Sequence, residues 1–269
     1  MSKKDPEAAI RVLALVGSAR KQGNTARMVA LLQEELESIL HDRKEPLIFT
    51  RLYLPDLDIR PCIGCRLCFD RGEASCPLKD QVQTIREWMD QADIVVFASP
   101  VYVDDVSGVM KNLLDRLAYL CHRPEMAGKL AWPIATSAVS PTRHTLRTLS
   151  AAALTWGFRL AGQTGLRMGA LAPDTTMPDF RPATARAARC IVAVLDRQRR
   201  RQPSFLSLMI FRIQQLAWQR EPPDSYDYQW WQSRGWLGGS CSYFVPHRAG
   251  WFKVRFARLA GRLIALFVS

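Results

Sequence analysis

Long hydrophobic runs are missing from this 269-residue chain: none reaches the roughly eighteen apolar residues of a membrane span. The apolar segment nearest the start, Ile10–Val16, is short, and a buried strand explains it better than a secretory leader. The chain also has no G-x-x-x-x-G-K-[ST] run and no G-x-G-x-x-G, so it meets neither the P-loop nor the dinucleotide fingerprint. Histidine is scarce: His41, His122, His144 and His247 stand at no ligand spacing to one another, and no catalysis is expected of them. No nucleophile triad or pair of acid–base carboxylates is visible either, and Asp104 and Asp105 read as solvated loop charges.

Acidic residues become rare toward the end. Residues 1–180 carry 22 Lys/Arg against 21 Asp/Glu, while residues 181–269 carry 15 against 4, which accounts for most of the net charge of +12. Five of the eight tryptophans (Trp218, Trp230, Trp231, Trp236 and Trp251) also lie in this second part. An ordinary globular front is thus followed by a basic, aromatic extension suited to an anionic partner. Nucleic acid is not expected, because no recognised binding motif accompanies the charge.

Cysteine is what the chain does have. Four of its seven cysteines, Cys62, Cys65, Cys68 and Cys76, fall in one stretch with spacing C-x2-C-x2-C-x7-C followed by proline. An odd count with such crowding suggests a reducing compartment, the cytoplasm by default, and metal or redox chemistry rather than disulfides. The first reading is an iron–sulfur cluster, since the last Cys-Pro resembles the close of bacterial ferredoxin runs. Zinc is the second, although zinc ligands more often come as two separated pairs. A thiol-rich loop without metal is the third. Cys121, Cys190 and Cys241 are scattered and read as ordinary thiols.

Hydrophobic periodicity predicts five βα units. Strands are expected at Ile10–Val16, Pro46–Tyr53, Asp93–Phe97, Leu130–Thr136 and near Phe158–Met168. The helices between and after them carry apolar residues at helical spacing, such as Met28, Val29, Leu32 and Leu36 in the first. Asp80 is placed to cap the helix after the cysteines. The alternation implies a doubly wound five-stranded parallel α/β sheet over residues 1–201, with a helical extension over 202–269. Right-handed crossovers then put every loop after a strand on one edge, and with a flavodoxin-like strand order ligands sit where the first and third of these loops part. The cysteine segment, following the second strand, is expected on that same edge.

The two loops at the parting are Gly17–Thr25 and the one opening Ser99-Pro100-Val101-Tyr102. The first offers hydroxyls (Ser18, Thr25), an amide (Asn24), a cation (Arg20), Gly23 and the open amides of a helix N-terminus. That set suits a terminal phosphate monoester such as the one FMN carries. The second can lie flat against a planar ring, with Tyr102 over a face or edge. Each loop alone is also what any α/β turn looks like.

Taken together, Gly-Ser-x-Arg-x-x-Gly-Asn-Thr, Pro-Cys-x-Gly-Cys-x-x-Cys, Lys79-Asp80, Ala92-Asp93, Ser99-Pro-Val-Tyr102 and Lys111 with Asp115-Arg116 resemble the NADPH-dependent FMN reductase family, over about residues 10–120. Within it, the compact cysteine motif is most similar to iron–sulfur flavoproteins. The resemblance implies an FMN oxidoreductase using NAD(P)H, with Ser18, Arg20, Gly23, Asn24 and Thr25 at the phosphate and Ser99, Pro100, Val101 and Tyr102 along the ring. It also implies a 4Fe-4S cluster on Cys62, Cys65, Cys68 and Cys76, and homo-oligomers (dimer or tetramer) that bring cluster and flavin close. A flavin beside a cluster converts two-electron into one-electron transfer. Electrons would go to a small acceptor such as a quinone; the alternatives are a carrier between proteins, or a zinc-bound or metal-free flavin module. The sequence departs from the family after the fourth strand, where Thr136-Ser137-Ala138-Val139-Ser140-Pro141 replaces a glycine-rich loop, leaving Ser137 and Ser140 as ring donors. In the extension, Phe205–Trp218 and Trp251–Phe267 read as helices. On the second, Arg255, Arg258 and Arg262 take one side and Phe252, Phe256, Leu259, Leu263 and Phe267 another. Such a helix docks on the domain or a second subunit, or lies peripherally on a membrane.

Overall fold

A computed structural model describes residues 9–168, 180–199 and 203–268. The boundary expected at residues 201/202 lies outside the described residues.

β1 (Ile10–Val16) is buried along nearly its whole length, as its continuous apolar run requires. It pairs in parallel with β2 (Leu47–Tyr53) on one side and β3 (Ile94–Pro100) on the other. β4 (Leu130–Ser137) extends the sheet from β3, β5 (Arg159–Leu160) follows it, and the order β2-β1-β3-β4-β5 is the flavodoxin-like one. Alternate residues feed two cores. Leu13, Leu15, Val95 and Phe97 pack against α3 (Val82–Gln91) and α4 (Gly108–Arg116), while Val12, Ala14, Val16 and Val96 meet α1 (Asn24–Asp42) and α6 (Arg181–Arg199). α5 (Arg143–Thr155) covers β4 on the first side.

Two expectations differ in detail. The fifth strand is two short pieces, β5 (Arg159–Leu160) and β6 (Thr164–Arg167), both paired with β4. Gly162 explains the gap: its φ is +148°, and a Cβ there would stand 2.5 Å from the Trp132 ring, so the chain bends around that indole. The helix expected to run to Leu120 stops at Arg116 and tightens into a 3₁₀ turn over Ala118–Cys121.

The extension forms α7 (Phe205–Trp218), α8 (Tyr226–Ser233) and α9 (Trp251–Val268) around a third cluster of Leu208, Phe211, Trp231, Tyr243, Phe244 and Ala257. α7 and α8 dock on the flavodoxin-like part. Trp231 Nε1 donates to the His122 carbonyl at 2.8 Å, and Gln214 Nε2 to that of Cys121 at 3.0 Å.

Two buried ion pairs fasten the irregular segments to this frame. Asp80, just before α3, meets Arg116, the last residue of α4, and both side chains are almost fully buried. Asp227 of α8 accepts from Arg123 Nη1 at 3.1 Å and pairs with His122 Nδ1 at 2.7 Å. Arg123 is fully enclosed, with the rings of Tyr119 and Tyr226 at 5.1 and 4.9 Å from its guanidinium.

Burial pushes the Asp80 carboxyl pKa up, but hydrogen bonds from Arg116 and from the Arg60 and Val82 amides outweigh it and hold the group below the usual carboxylate range. The stabilisation is therefore complete above the unfolded-state pKa of about 3.9 and is lost as pH falls through the lower folded value. Asp80→Asn is expected to cost about 3 kcal/mol at neutral pH and to flatten the loss of stability below about pH 4, read by urea melts across pH. Asp227→Ala leaves the buried Arg123 with only the more distant Glu73 carboxylate, at 3.6 Å. Its expected cost is also about 3 kcal/mol, with protease cutting the extension away before the sheet domain.

Candidate functional site

β1 and β3 end side by side, Val16 opposite Ala98, and the loops that follow form one rim. After β1 the chain turns through Gly17–Gly23 into α1. Gly17 passes so close to α4 that a Cβ on it would lie 2.7 Å from Ser107 Oγ. Ser18 is buried, and its hydroxyl accepts from the Arg20 amide at 3.2 Å. Gly23 is the extended N-cap residue and supplies no side-chain cap. The hydrogen bond from the Arg27 amide to the Gly23 carbonyl (3.0 Å) is the first of α1, so the amides of Asn24, Thr25 and Ala26 lack an intrahelical acceptor. Arg20 is exposed beside them and Asn24 half-buried. Thr25 is buried, its hydroxyl 2.6 Å from that of Thr136 at the end of β4, which ties this loop to the neighbouring one.

The loop after β3 is shaped by Ser99. Fully buried, its hydroxyl donates to the Pro100 carbonyl at 2.8 Å and accepts from the Ser107 amide at 2.9 Å. Ser99 is thus engaged within the loop itself. Val101 is fixed by its amide to the Thr136 carbonyl at 2.8 Å. Tyr102 and Asp105 exchange backbone hydrogen bonds of 2.9 and 3.1 Å across Val103 and Asp104, whose φ values are both positive, at 49° and 65°. Two left-handed residues make a type I′ turn. A β-branched valine there stores strain of about 1–2 kcal/mol. It projects fully into solvent beside the exposed Tyr102 ring. Pro100 and Val101 are half-buried, and Ser137 is buried at the end of β4. Ser107 Oγ is buried without a partner among the described residues, an uncommon state for a hydroxyl. Nothing in the local sequence singles out Ser107, which stands at the N-cap of α4.

The cysteine segment leaves from this same edge. Tyr53 ends β2 opposite Val16, and Lys21 of the first loop bridges to Asp56 at 2.7 Å. It does not stay there, which corrects the sequence expectation. Leu67–Asp70 (α2) packs against the chain just after α4, with Phe69 4.6 Å from the His122 ring and Arg123 Nη2 donating to the Cys68 carbonyl. Arg116 holds the two arms of the segment together. It donates to the Arg60 carbonyl at 2.9 Å on the entering arm, and to Asp80 and the Leu78 carbonyl on the leaving arm, with Cys76 Sγ 3.6 Å away. Arg116 stood in the sequence motif, but its partner lies 36 residues away; Arg123 and Asp227 lie 104 apart and left no local signal.

Cys62 and Cys65 are exposed, while Cys68 and Cys76 are half-buried. The Cys68 thiol is pushed up first by burial, then by the neighbouring thiols of Cys76 and Cys62, with Arg123 pulling the other way. The Cys68 sulfur is therefore within electrostatic reach of both Cys76 and Cys62. Among the described residues, however, no three His, Cys, Asp or Glu converge on a single-ion site. Zinc needs its four sulfurs about 3.8 Å apart, given Zn–S bonds of about 2.3 Å, and the segment as folded does not meet that. The donor chemistry fits an iron–sulfur centre, with four thiols on one segment under two arginines, but their gathering into a ligand set is not displayed.

Comparison with known proteins agrees with the rim geometry. The family model for NADPH-dependent FMN reductase matches residues 10–163. An iron-sulfur flavoprotein of Archaeoglobus fulgidus is 24% identical over 230 residues, covering 85% of this chain and all of that one. Another, from Methanocaldococcus jannaschii, is 33% identical over 129 residues, 48% of this chain and 63% of its own length. Among solved structures, an oxidoreductase from Corynebacterium diphtheriae superposes with a TM-score of 0.51 at 16% identity, covering 70% of this chain and 98% of that one, which speaks for the fold. The family match takes in every strand but the last together with both rim loops and the cysteine segment, more than half of the sequence, and on that ground the chain belongs to the NADPH-dependent FMN reductase family.

Proposed function

We propose that the rim binds FMN and that the protein is an NAD(P)H-dependent FMN oxidoreductase of the iron–sulfur flavoprotein type, passing electrons to a small acceptor such as a quinone. The observation that carries this reading is the pairing of an uncapped helix N-terminus with buried hydroxyls on one rim. The backbone amides of Asn24 and Thr25, the Asn24 side-chain amide, the Ser18 and Thr25 hydroxyls and the Arg20 guanidinium would hold the phosphate, and Gly23 keeps the approach open. Pro100, Val101 and Tyr102 would line the ring, with Ser99 setting the shape of their loop. Ser137, and the unpartnered Ser107 hydroxyl, are the donors and acceptors left for the ligand. When bound, FMN supplies exchange between two-electron and one-electron transfer, and a cluster supplies single-electron relay.

Cys62, Cys65, Cys68 and Cys76 would hold the 4Fe-4S cluster. Support comes from their spacing, from the influence of Cys76 and Cys62 on Cys68, and from two arginines at the segment. Because the segment packs away from the rim in one chain, close approach of cluster and flavin would be made between subunits of a homo-oligomer. A second reading, an electron carrier between proteins, is favoured by the exposure of Cys62 and Cys65, which opens the segment to a docking partner.

Titration of the apoprotein with FMN, followed by flavin fluorescence, tests the rim. Arg20→Gln and Asn24→Ala are each expected to weaken binding about tenfold, the worth of a hydrogen bond to a charged group; unchanged affinity in both variants removes the phosphate assignment. For the cysteines, anaerobically isolated protein is expected to contain about four irons and four sulfides per chain, lost in Cys65→Ser. Iron-free protein that retains FMN removes the cluster, and zinc in its place selects the structural-metal alternative. In the same samples, prompt bleaching by NADPH favours the enzyme, while reduction by a protein donor alone favours the carrier.

A further inference from the structure

From the outer face of α9 we infer that the extension binds an anionic lipid surface, with this helix lying flat in the interface. α9 is inverted relative to an ordinary docked helix. The residues it turns inward, toward α7, include Ala257, Gly261 and Ala265, all small. Contact is close enough that a Cβ on Gly261 would stand 2.9 Å from the Met209 carbonyl oxygen and from Arg212 Cβ. The large side chains go the other way: Phe252, Phe256 and Phe267 are 70%, 60% and 89% exposed, and Leu259 and Leu263 are about half exposed on the same stripe. A soluble surface seldom leaves so continuous an apolar stripe uncovered without a partner for it.

Charge identifies the partner. Arg255 and Arg262 are exposed along one flank of this stripe, and Arg258 beside them reaches the Cys241 and Gly239 carbonyls, both at 2.9 Å. Beneath them sits Arg212 of α7. Its pKa is pushed down to about 10, first by burial, then by Arg258 and Arg262. Among the described residues no carboxylate pairs with any of these four. From residue 228 to the end the sequence holds Arg234, Arg248, Lys253, Arg255, Arg258 and Arg262 and no acidic residue at all. A second copy of the chain packed helix against helix would not answer this charge, because the sequence from residue 228 onward brings no carboxylate side chain to the contact. An interface of acidic headgroups over acyl chains answers both properties at once: phosphates meet the arginine flank and the phenylalanines enter the apolar boundary. Trp251, 62% exposed at the head of the helix, is the residue type that prefers that depth. No described helix is long and apolar enough to cross a membrane, so the helix would lie on the surface and not span it.

Flotation of the full-length protein with vesicles tests this independently of the flavin reading. Vesicles of phosphatidylcholine with about a third phosphatidylglycerol are expected to carry the protein up the gradient, and pure phosphatidylcholine vesicles much less so. Binding should weaken with added salt. Phe256→Asp with Leu263→Asp is expected to abolish flotation. Arg255→Gln and Arg262→Gln, both at exposed positions, are expected to weaken it about fivefold for each arginine at low salt. Circular dichroism and melting of each variant identify any that fail to fold, and the wild-type contrast between the two vesicle compositions does not depend on them. Absence of flotation by monodisperse wild type overturns the proposal. So does equal flotation of the folded aspartate variant, or a wild-type dimer that the aspartates split while neither form floats. Binding to an acidic protein but not to vesicles would overturn it as well.

Discussion

The guanidinium of Arg116, buried against Asp80, decides where the cysteine segment goes. It carries its donors to both arms of that segment, to the Arg60 carbonyl on one side and the Leu78 carbonyl on the other. An arginine has five donors in a rigid plane, and a fork of this kind can close the neck of a loop in a way that a lysine cannot. Burying the pair costs desolvation of two charges, which the mutual hydrogen bonds and the backbone acceptors offset. The return is conformational: an exposed run of irregular backbone, including left-handed Gly64 and Arg66, is anchored at its base. Without that anchor the four thiols would sit on a loop with little local structure beyond one α-helical and one 3₁₀ turn.

A second arginine does the same work farther along, and it joins the extension to the domain. Arg123 touches the segment through the Cys68 carbonyl and the extension through Asp227. Gly72 completes this joint. Its φ of +88° suits glycine, and a Cβ would stand 2.5 Å from the Tyr226 hydroxyl, so the backbone must remain bare where α8 crosses it. The basic extension is therefore part of the surroundings of the cysteines, while the rim loops on the other end of α4 depend on the sheet. In this FMN reductase family member α4, nine residues and roughly 13 Å long, has the rim loop at its first end and the Arg116 anchor of the cysteine segment at its last.

Much of this was legible in the sequence, for physical reasons that differ from element to element. β1 could be read because a strand buried on both faces must be apolar almost throughout. The doubly wound sheet followed from the alternation of elements and the handedness of crossovers, while its flavodoxin-like order, and with it the adjacency of the Gly17–Thr25 and Ser99–Tyr102 loops, came with the resemblance of the rim motifs. The break in the last strand was hidden, since nothing local says that Gly162 will wrap the ring of Trp132, thirty residues earlier. The course of the cysteine segment was hidden for a related reason. Topology says which edge a loop leaves from, but side chains far along the chain say where it lies, and a charged residue paired 36 or 104 positions away has no periodic signature. Val103 shows the same limit: valine is a poor choice for a left-handed turn position, so propensity points away from the conformation it holds.

The last helix shows how a correct pattern can leave its orientation open. The wheel separates arginines from phenylalanines and leucines, and such a helix is ordinarily expected to bury the larger apolar side. What decides otherwise is the third face, Ala257, Gly261 and Ala265 at four-residue spacing. Small residues let two helix axes approach closely, so dispersion contacts run along the whole backbone of α9 against α7. Turning the helix over to bury Phe252 and Phe256 would hold the axes apart and forfeit those contacts. The same turn would leave Arg212 without its place beneath the small face. Packing against α7 thus favours the orientation that exposes the aromatic side chains, and it does so from inside the protein, before any partner arrives.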